Sequence, residues 1–347
     1  MPLGTNNTTT TVADKWIPAQ WEDEAIATYK GKTVMANLVK KMPVQGKKGD
    51  TFYLPNPARG DASVKAANTQ VTLIADTAGE IILTIDKHYE YSKLYEDIAD
   101  IQALNGMKPF YTDDAGYALA KRIDRELHKI GARFNGGSIA GATNLYEAAV
   151  IGSDGKTAFS GSANTNTGNG AAITDAGFRA MIQNLEDDDV PSDEQYFVIP
   201  PVEANVMRGI ARFTEQAFRG DGTALRTGRL GNLYGVEIYI SSLCPWIHVN
   251  SVTGTQSVTF TSTAPTGASF VDEFGLTVDW NTTSPTDTKY RAALLFSRDS
   301  MLLGEQMKMR VQQQYKQEYL GYLVTADCLF GTTELRDYAG LACAVPA

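Results

Sequence analysis

The longest regular pattern of apolar positions in the chain lies between Tyr111 and Phe134. Apolar residues recur there at steps of three and four, the spacing of one helix face: Leu119, Ile123, Leu127, Ile130 and Phe134. Thr112 can cap this helix, and Asp113 and Asp114 would favour the positive end of its dipole. The pattern predicts a helix about 36 Å long, a spine for one domain.

Residues 46–94 alternate apolar and polar positions instead, which is typical of strands. The apolar runs are Phe52 and Leu54, then Val71 and Leu73, then Ile81, Leu83 and Ile85. Pro55 and Pro57 would stop the first strand, because proline lacks the backbone donor that a ladder uses. We expect a long two-stranded excursion with a flexible tip at 59–69. An isolated hairpin is marginal in water, so this one needs a surface to lie on.

A small α/β unit is predicted from Thr174 onward. TDAGFRAMIQNLEDDDVP predicts a helix that starts after Thr174 and ends before Pro191, and QYFVIPP is typical of a buried strand. A further helix starts with Pro201 in its first turn, where the missing N–H costs nothing.

The stretch GRLGNLYGVEIYIS follows this unit and places Gly228, Gly231 and Gly235 directly before an alternating strand. A dinucleotide loop needs the order strand, glycines, helix, and a P-loop needs a following Lys-Ser or Lys-Thr. Neither condition holds here. We interpret the glycines as an architectural turn, because glycine permits positive φ and close chain approach.

The last part of the chain is rich in strand signals. Residues 251–290 are dominated by Ser and Thr and predict a short β-insert on the surface. The segment LGYLVTADCLFGTTELRDYAGLACAV then predicts strands, and its last apolar run would fix the C-terminus in a sheet.

The amino-acid composition is typical of a folded protein that does not bind nucleic acid tightly. Of 347 residues, 43% are hydrophobic and 20% are charged, and the net charge of -9 disfavours passive nucleic-acid binding. The N-terminus has no basic start and no apolar segment, so no signal peptide is expected, and no apolar run suits a membrane span. Cys244, Cys328 and Cys343 are widely spaced, which favours buried, reduced thiols in a cytosolic setting.

No motif for catalysis, a cofactor or a metal is found. His88, His128 and His248 lack zinc-motif spacing, and we expect His128 to be solvated or locally hydrogen-bonded at the polar edge of the long helix. The run 187–189, three aspartates, is interpreted as a solvated turn because the EF-hand spacing is missing. The sequence therefore predicts no enzyme, no cofactor and no metal site.

Residues 16–41 carry aromatic and charged residues without one clean helical face. Trp16 and Trp21 lie here, and aromatic residues are enriched at interfaces, so we expect them to contact a neighbouring subunit rather than their own core. An arm and a hairpin that are unstable alone are typical of a protein completed by assembly.

At this point four segments, in order, resemble tailed-phage major capsid proteins of the Hong Kong 97 type: KKGDTFYLP, ITDAGFRAMIQNLEDDDVPSDEQYFVIPP, GRLGNLYGVEIYISS and YLVTADCLFGTTELRDYAGLACAV. The resemblance covers residues 16–345 without 245–290. It implies an α+β fold with an N-terminal arm (1–45), an extended E-loop (46–90), a P-domain with the spine helix (91–170), an A-domain (171–244), a β-rich insert (245–290) and a return to C-terminal P-domain strands (291–347).

The resemblance implies a shell protein. Subunits would form pentamers and hexamers of an icosahedral head around packaged double-stranded DNA, assembled in the host cytoplasm without sequence-specific DNA contacts or a membrane. The arm and E-loop would contact neighbours, with Arg59, Asp61 and Lys65 either bridging subunits or forming a solvated tip. The expected partners are a separate scaffolding protein, a portal protein at one vertex and a decoration or cement protein. A lysine–asparagine cross-link from Lys65 is not expected, because TTELRDYAG contains no asparagine.

Three alternatives remain open on the sequence alone. An encapsulin-like compartment would have the same fold around an enzyme cargo. A hydrolase or binding protein with an unrecognised site would be a monomer or small oligomer with a pocket. A tail or fibre module is supported by the Thr-rich insert alone.

Overall fold

The computed structural model describes residues 33–44, 48–56, 60, 62, 64–71, 73, 79–96, 107–131, 134, 150–157, 159, 170–210, 231–250, 257–261, 269–271, 277–279 and 290–346. Their helices and strands are, in chain order, α1 (Met35–Leu38), β1 (Lys40–Met42), β2 (Thr51–Asn56), β3 (Gly79–Thr84), β4 (Lys87–Glu96), α2 (Met107–Gly131), β5 (Val150–Ile151), α3 (Asp175–Asp187), β6 (Gln195–Ile199), α4 (Pro201–Arg208), β7 (Asn232–Leu233), β8 (Val236–Ile240), β9 (Trp246–Asn250), β10 (Ser257–Thr261), β11 (Ser269–Val271), β12 (Thr277–Asp279), β13 (Tyr290–Ser297), β14 (Met301–Lys316), β15 (Gly321–Glu334) and β16 (Gly340–Pro346).

The predicted long helix is α2, and its apolar stripe is the side that packs. Leu119 and Leu127 are buried and join one core with the flanking sheet, while Ile123 and Ile130 are partly buried against it. The predicted cap is wrong, since α2 begins at Met107 and its first turn holds no acidic residue. Pro109 is the physical reason: it lies in the first turn, where no intrahelical N–H is needed, so the helix can extend upstream of Thr112.

The helix α2 packs against a four-stranded sheet. Its strand order is β1-β14-β15-β4, with β1 parallel to β14 and the other neighbours antiparallel. β14 and β15 form a hairpin of 16 and 14 residues, and the register of β14 shifts between Glu305 and Arg310. The end of this hairpin near Ser300 is buried, whereas the end near Leu320 is exposed. The sheet therefore begins in the core and projects from it.

A second sheet has eight strands and contains the predicted α/β unit. The path β10-β9-β13-β6-β8-β7 is extended by β16 beside β13 and by β5 beside β16. Thr174 caps α3 as predicted, since its Oγ1 accepts a hydrogen bond from the Gly177 amide at 3.2 Å. The buried strand and the helix that begins with Pro201 are confirmed as β6 and α4.

The last strand, β16, lies in the eight-stranded sheet and pairs with β13 from Tyr290 to Phe296. β15 lies in the other sheet. The C-terminus is fixed in a sheet as expected. β9 and β10, from the predicted insert, extend the same eight-stranded sheet, while β11 and β12 form a separate pair.

The predicted excursion contains one two-stranded ladder, β2 with β3, which pairs Thr51 with Thr84 and Asn56 with Gly79. The prediction of a strand at Val71 and Leu73 is wrong: these two side chains are 61% and 89% exposed and lie outside any strand. Because no core covers them, their alternation alone does not create a ladder. The ladder uses the third apolar run instead.

The three cysteines are buried and free, as predicted. Within the described part of the chain, no helix is long and apolar enough to cross a membrane.

Candidate functional site

Several of the predicted site residues cannot be located on the structure. Trp16, Trp21, Arg59, Asp61 and Gly228 lie outside the described residues. Lys65 is exposed, close in sequence to the exposed Val64. Gly231 lies directly before β7, and Gly235 lies in the turn between β7 and β8, far along the chain from Lys65.

The glycine turn has the backbone geometry of a tight hairpin. Leu233 pairs with Val236, so Tyr234 and Gly235 form a two-residue connection, with φ of 53° and 88°. Positive φ at both central positions is the type of turn that matches the twist of two antiparallel strands. Gly231, at φ 64°, precedes β7, and its carbonyl accepts a hydrogen bond from the Ile238 amide at 2.9 Å. Gly231 and Gly235 thus define the path of the chain into and out of β7.

The base of the β2–β3 hairpin is firmly attached to the four-stranded sheet. Leu83 is fully buried and packs where Gly304 has no side chain. The Gln306 side-chain amide donates to the Gly49 carbonyl at 2.9 Å, and the Ile85 amide donates to the Asp50 carbonyl at 2.7 Å. The hairpin thus leaves the core from a fixed point.

Beyond that base the excursion exposes apolar side chains. Tyr53 and Ile82 lie directly opposite each other across the ladder and are 64% and 45% exposed. We call the exposed apolar residues of this excursion the hairpin surface: Tyr53, Val64, Val71, Leu73 and Ile82. Two strands cannot bury such residues between themselves, so these side chains stay exposed among the described residues of the single chain.

The far end of the β14–β15 hairpin carries a second exposed apolar group. We call it the distal sheet surface: Met309, Val311, Tyr315, Tyr319, Leu320 and Tyr322. Tyr322 stacks with Tyr95 and Tyr315, at ring-centroid distances of 5.8 and 5.1 Å. Sequence reasoning missed this surface, although the alternation from Met307 to Tyr315 signals a strand with an apolar side.

An ion-pair network ties the strands together where the long sheet passes from buried to exposed. Arg310 binds both carboxylate oxygens of Asp327, at 2.7 and 2.9 Å, and His88 Nε2 lies 3.2 Å from the same carboxylate. The three residues belong to β14, β15 and β4. The hydrogen bonds from Arg310 hold the pKa of Asp327 below its ordinary value. This network stiffens the sheet across its width.

The root of the arm is fixed by α2. Asp124 Oδ1 accepts hydrogen bonds from the backbone amides of Val34 and Met35, at 3.1 and 2.7 Å. α1 has no capping side chain of its own, so this carboxylate takes the place of a local cap. β1 then continues the anchoring by pairing with β14, and Lys40 contacts Asp299 at 2.9 Å.

The prediction for His128 is wrong. It is buried, with 1% of its side chain exposed, and neither ring nitrogen has a hydrogen-bond partner among the described residues. In the fold this side of α2 is packed rather than solvated: Asp124, one helical turn before His128, is also buried and binds the backbone amides of Val34 and Met35. Burial lowers the pKa of His128 to about 3, so the ring is neutral at ordinary pH.

The described residues contain no group of three or more His, Cys, Asp or Glu side chains arranged to hold a metal ion. Burial raises the pKa of the Cys244 thiol to about 12, which makes it a poor nucleophile, and the Cys343 thiol is buried and shifted in the same direction. Among the described residues the geometry consists of a packed core, two groups of exposed apolar side chains, and residues 34–35 hydrogen-bonded to Asp124.

No family model matches this chain, and no curated protein matches it in sequence. Solved structures do match it over almost its whole length. A chain of Mycobacterium phage Che8 is 20% identical with a TM-score of 0.65, covering 98% of both chains. The capsid structure of Cyanophage P-SCSP1u is 18% identical with a TM-score of 0.67, covering 98% of this chain and 96% of the other.

The Cyanophage Pam1 capsid asymmetric unit has a chain that is 9% identical, with a TM-score of 0.67 and 99% coverage of both chains. Similarity of this extent at such low identity concerns the path of the backbone. The chain therefore has the fold of these phage capsid structures, the Hong Kong 97-like α+β fold that its motifs predicted.

Proposed function

We propose that this chain is the major capsid protein of a tailed double-stranded DNA bacteriophage, assembling into pentamers and hexamers of an icosahedral shell. The observation that carries the proposal is coverage: the likeness to the phage capsid of Cyanophage P-SCSP1u spans nearly all of both chains. Nothing in these comparisons favours an enzyme-cargo compartment instead.

The hairpin surface supports this proposal physically. Its base is held by Leu83 against Gly304, while Tyr53 and Ile82 remain exposed in the single chain. A rigid base and an uncovered apolar end suit a contact with a second copy, because burying apolar area stabilises the assembly by about 25 cal/mol per Å². In this proposal the excursion (46–90) lies on a neighbouring subunit.

The same proposal assigns roles to the other segments. The arm (1–45), with Trp16 and Trp21, would contact another copy, and Arg59, Asp61 and Lys65 would lie in the intersubunit part of the E-loop. The P-domain would be 91–170 with the spine helix, and the A-domain 171–244, where Gly228, Gly231 and Gly235 form its turn. Residues 245–290 would be a β-rich insert, either a surface elaboration or a contact for a decoration protein, and 291–347 would return through the A-domain to C-terminal P-domain strands.

A shell of this kind has further partners. The net charge of -9 favours loose enclosure of DNA over tight binding, because like charges repel the phosphate backbone. We propose a separate scaffolding protein, a portal protein at one vertex and a decoration or cement protein as partners, with assembly in the host cytoplasm and residence in the virion. No catalytic role is proposed.

The experiment is sedimentation velocity of the full chain, expressed alone and with candidate scaffolding proteins, followed by negative-stain imaging of each fast species. Closed shells or capsomer-sized rings are the expected result, and DNA rather than protein cargo inside particles from infected cells distinguishes a phage head from a compartment. A monomer under every condition would contradict the proposal.

Variants of the hairpin surface sharpen this experiment. Tyr53→Ser combined with Ile82→Thr removes exposed apolar groups, so the fold should survive while closed shells are lost. Glu80→Gln is the matched control, since this residue is also exposed on the ladder and is polar in both forms. Normal shells from the double variant would overturn the proposed role of the hairpin surface.

A further inference from the structure

Two cationic side chains of α2 have no counter-charge within the described part of the chain. Lys121 and Arg125 lie one helical turn apart, about 6 Å along the axis, and both are half-buried. Arg125 Nε is buried without an acceptor, and Lys121 Nζ lies 6.0 Å from the ring centroid of Tyr117. Burial and the charge of Arg125 lower the pKa of Lys121. We call Lys121 and Arg125 the cationic pair; like charges at this spacing destabilise a helix.

The carboxylates beside the cationic pair on α2 are engaged elsewhere. Glu126 pairs with Arg122 at 3.3 Å and is buried with it against β4. Asp124 is buried and binds the backbone amides of residues 34–35. A counter-charge for the cationic pair is therefore expected from outside the described residues.

The part of the chain that joins the structure beside this pair carries such a charge. Residues 1–32 precede Val34, whose amide binds Asp124, and Asp124 is the neighbour of the cationic pair in sequence. Residues 22–24, which we call the acidic run, are Glu-Asp-Glu and lie ten residues before Val34. Ten residues span up to about 33 Å, whereas the pair lies within about 5 Å of Asp124 along the helix axis. The acidic run can therefore reach the pair of its own chain.

A carboxylate suits the cationic pair better than a nucleic-acid phosphate does. A guanidinium binds both oxygens of a carboxylate in one plane, and a side chain can enter a half-buried position that a phosphate backbone cannot. The net charge of -9 also repels nucleic acid from the chain as a whole. A tether of about ten residues gives the acidic run a local concentration in the millimolar range.

We propose that the acidic run binds the cationic pair on α2 of the same chain, so that the N-terminal arm folds back along its own spine helix before it contacts a second copy. Trp21 adjoins the acidic run and is thereby placed at the surface of α2. The direction in which the arm leaves the subunit is then set within one chain. This docking does not require the proposed shell function.

The test is cross-linking of the full chain with a water-soluble carbodiimide, which joins a carboxylate to a lysine amine as an amide with loss of water. Light and ¹⁵N-labelled chains are unfolded, mixed and refolded together, and the linked peptides are identified by mass spectrometry. Lys121 should link to residues 22–24 at least about tenfold more often than Lys308, an exposed lysine on β14, and only within one isotope. Equal yields at the two lysines, or light–heavy links, would overturn the proposal.

Variants of the cationic pair separate charge from helix stability. Arg125→Glu should reduce the link from Lys121 to the level of the Lys308 reference, and Arg125→Gln should give an intermediate yield. Arg208→Glu, an equal change of charge on the exposed side of α4, should leave the yield unchanged. Circular dichroism checks the helix content of each variant. An undiminished link in Arg125→Glu would overturn the proposal.

A charge reversal completes the test. Lys121→Glu and Arg125→Glu combined with lysine at each of positions 22–24 should regain the link, with amine and carboxylate exchanged. Failure to regain it would mean that the two segments do not meet. Short duplex DNA added to the unmodified chain should leave the yield unchanged, and suppression of the link would assign the pair to phosphate instead. These readouts come from single chains, so their failure and a failure of shell assembly are distinguishable.

Discussion

Leu83 fills the space that Gly304 leaves open: a Cβ atom at Gly304 would lie 2.7 Å from Leu83 Cδ2 and 3.1 Å from Val44 Cγ2. Leu83 lies on β3 at the base of the excursion and Gly304 lies on β14 of the long sheet, so this contact joins the hairpin to the core. A residue larger than glycine can enter only by displacing two buried side chains.

We therefore expect Gly304→Val to destabilise the protein by about 1–3 kcal/mol through overpacking. Thermal unfolding followed by circular dichroism measures the effect. Gly79→Ala is the matched control, because a Cβ there would meet nothing closer than the Asn56 carbonyl at 3.6 Å. Equal stability of the two variants would show that the hairpin base is not tightly packed.

A substitution at Gly235 would test the strain of its positive φ separately from side-chain packing. Its φ is 88°, and a Cβ at this position would meet no atom within 4 Å. Gly235→Ala should cost about 1–2 kcal/mol through strain alone, since alanine rarely adopts positive φ. Gly235→Asn should cost less, because asparagine tolerates left-handed backbone better. Denaturant midpoints rank the three proteins, and no loss in the alanine variant would contradict the assigned turn.

Asp327 should make the folding stability of the protein depend on pH in the acid range. Its pKa in the folded protein lies below the ordinary 3.8, chiefly because of the hydrogen bonds from Arg310. A lowered carboxyl pKa contributes stability above the unfolded value that is lost as the pH falls through the folded value. Asp327→Asn should lower the melting temperature at pH 7, and the difference should shrink below pH 3.8. Asp193→Asn, in an exposed turn, should change little at either pH.

Glu203 should give the opposite dependence of folding stability on pH. Its side chain is fully buried, Oε1 accepts a hydrogen bond from the Ile173 amide at 2.8 Å, and burial raises its pKa from 4.5 to about 7. The folded state holds the proton more tightly, so this group lowers stability as the pH rises from 4.5 to 7.

Glu203→Gln should therefore raise the free energy of unfolding at pH 8 by at most about 3 kcal/mol, at 1.36 kcal/mol per unit of pKa. At pH 4 the two proteins should unfold alike. Thermal scans at the two pH values suffice. A variant that is destabilised at pH 8 would mean that the carboxylate has a favourable partner.

Leu320 lies in the turn between β14 and β15 with φ of 45°, and its side chain is 66% exposed. Leucine gains nothing from this position in the single chain. Leu320→Asn should leave the unassembled chain equally stable or more stable by a few tenths of a kcal/mol, because asparagine suits left-handed backbone. If the distal sheet surface contacts other copies, the same variant should assemble less well in sedimentation velocity. Loss of stability without any change in assembly would contradict this interpretation.

Much of the local structure followed from sequence, because it depends on neighbours within a few residues. The step of three and four at Leu119 and Leu127 determined α2 and its packed side. Thr174 determined the start of α3 through its own hydroxyl. The glycines before β8 were recognised as a turn because the order of elements excluded a phosphate loop.

Other features depend on contacts between distant parts of the chain. The strand expected at Val71 and Leu73 is absent because no core covers these residues, while Ile81 and Leu83 pair with β2. The C-terminal strand joins the eight-stranded sheet beside β13. The spacing of hydrophobic residues along the chain cannot specify which strand it pairs with.

The burial of His128 is the clearest case. On the helix alone it lies at a polar edge, and a solvated ring is the reasonable expectation. In the fold the ring is buried, and the carboxylate of Asp124, one turn earlier on the same helix, binds amides 89 and 90 positions away. Periodicity by itself predicted the helix and its apolar stripe, although α2 runs from Met107 to Gly131 and not from Tyr111 to Phe134. Which of its polar residues are buried, and so which can titrate, was decided by tertiary packing, because desolvation depends on the segment that covers them.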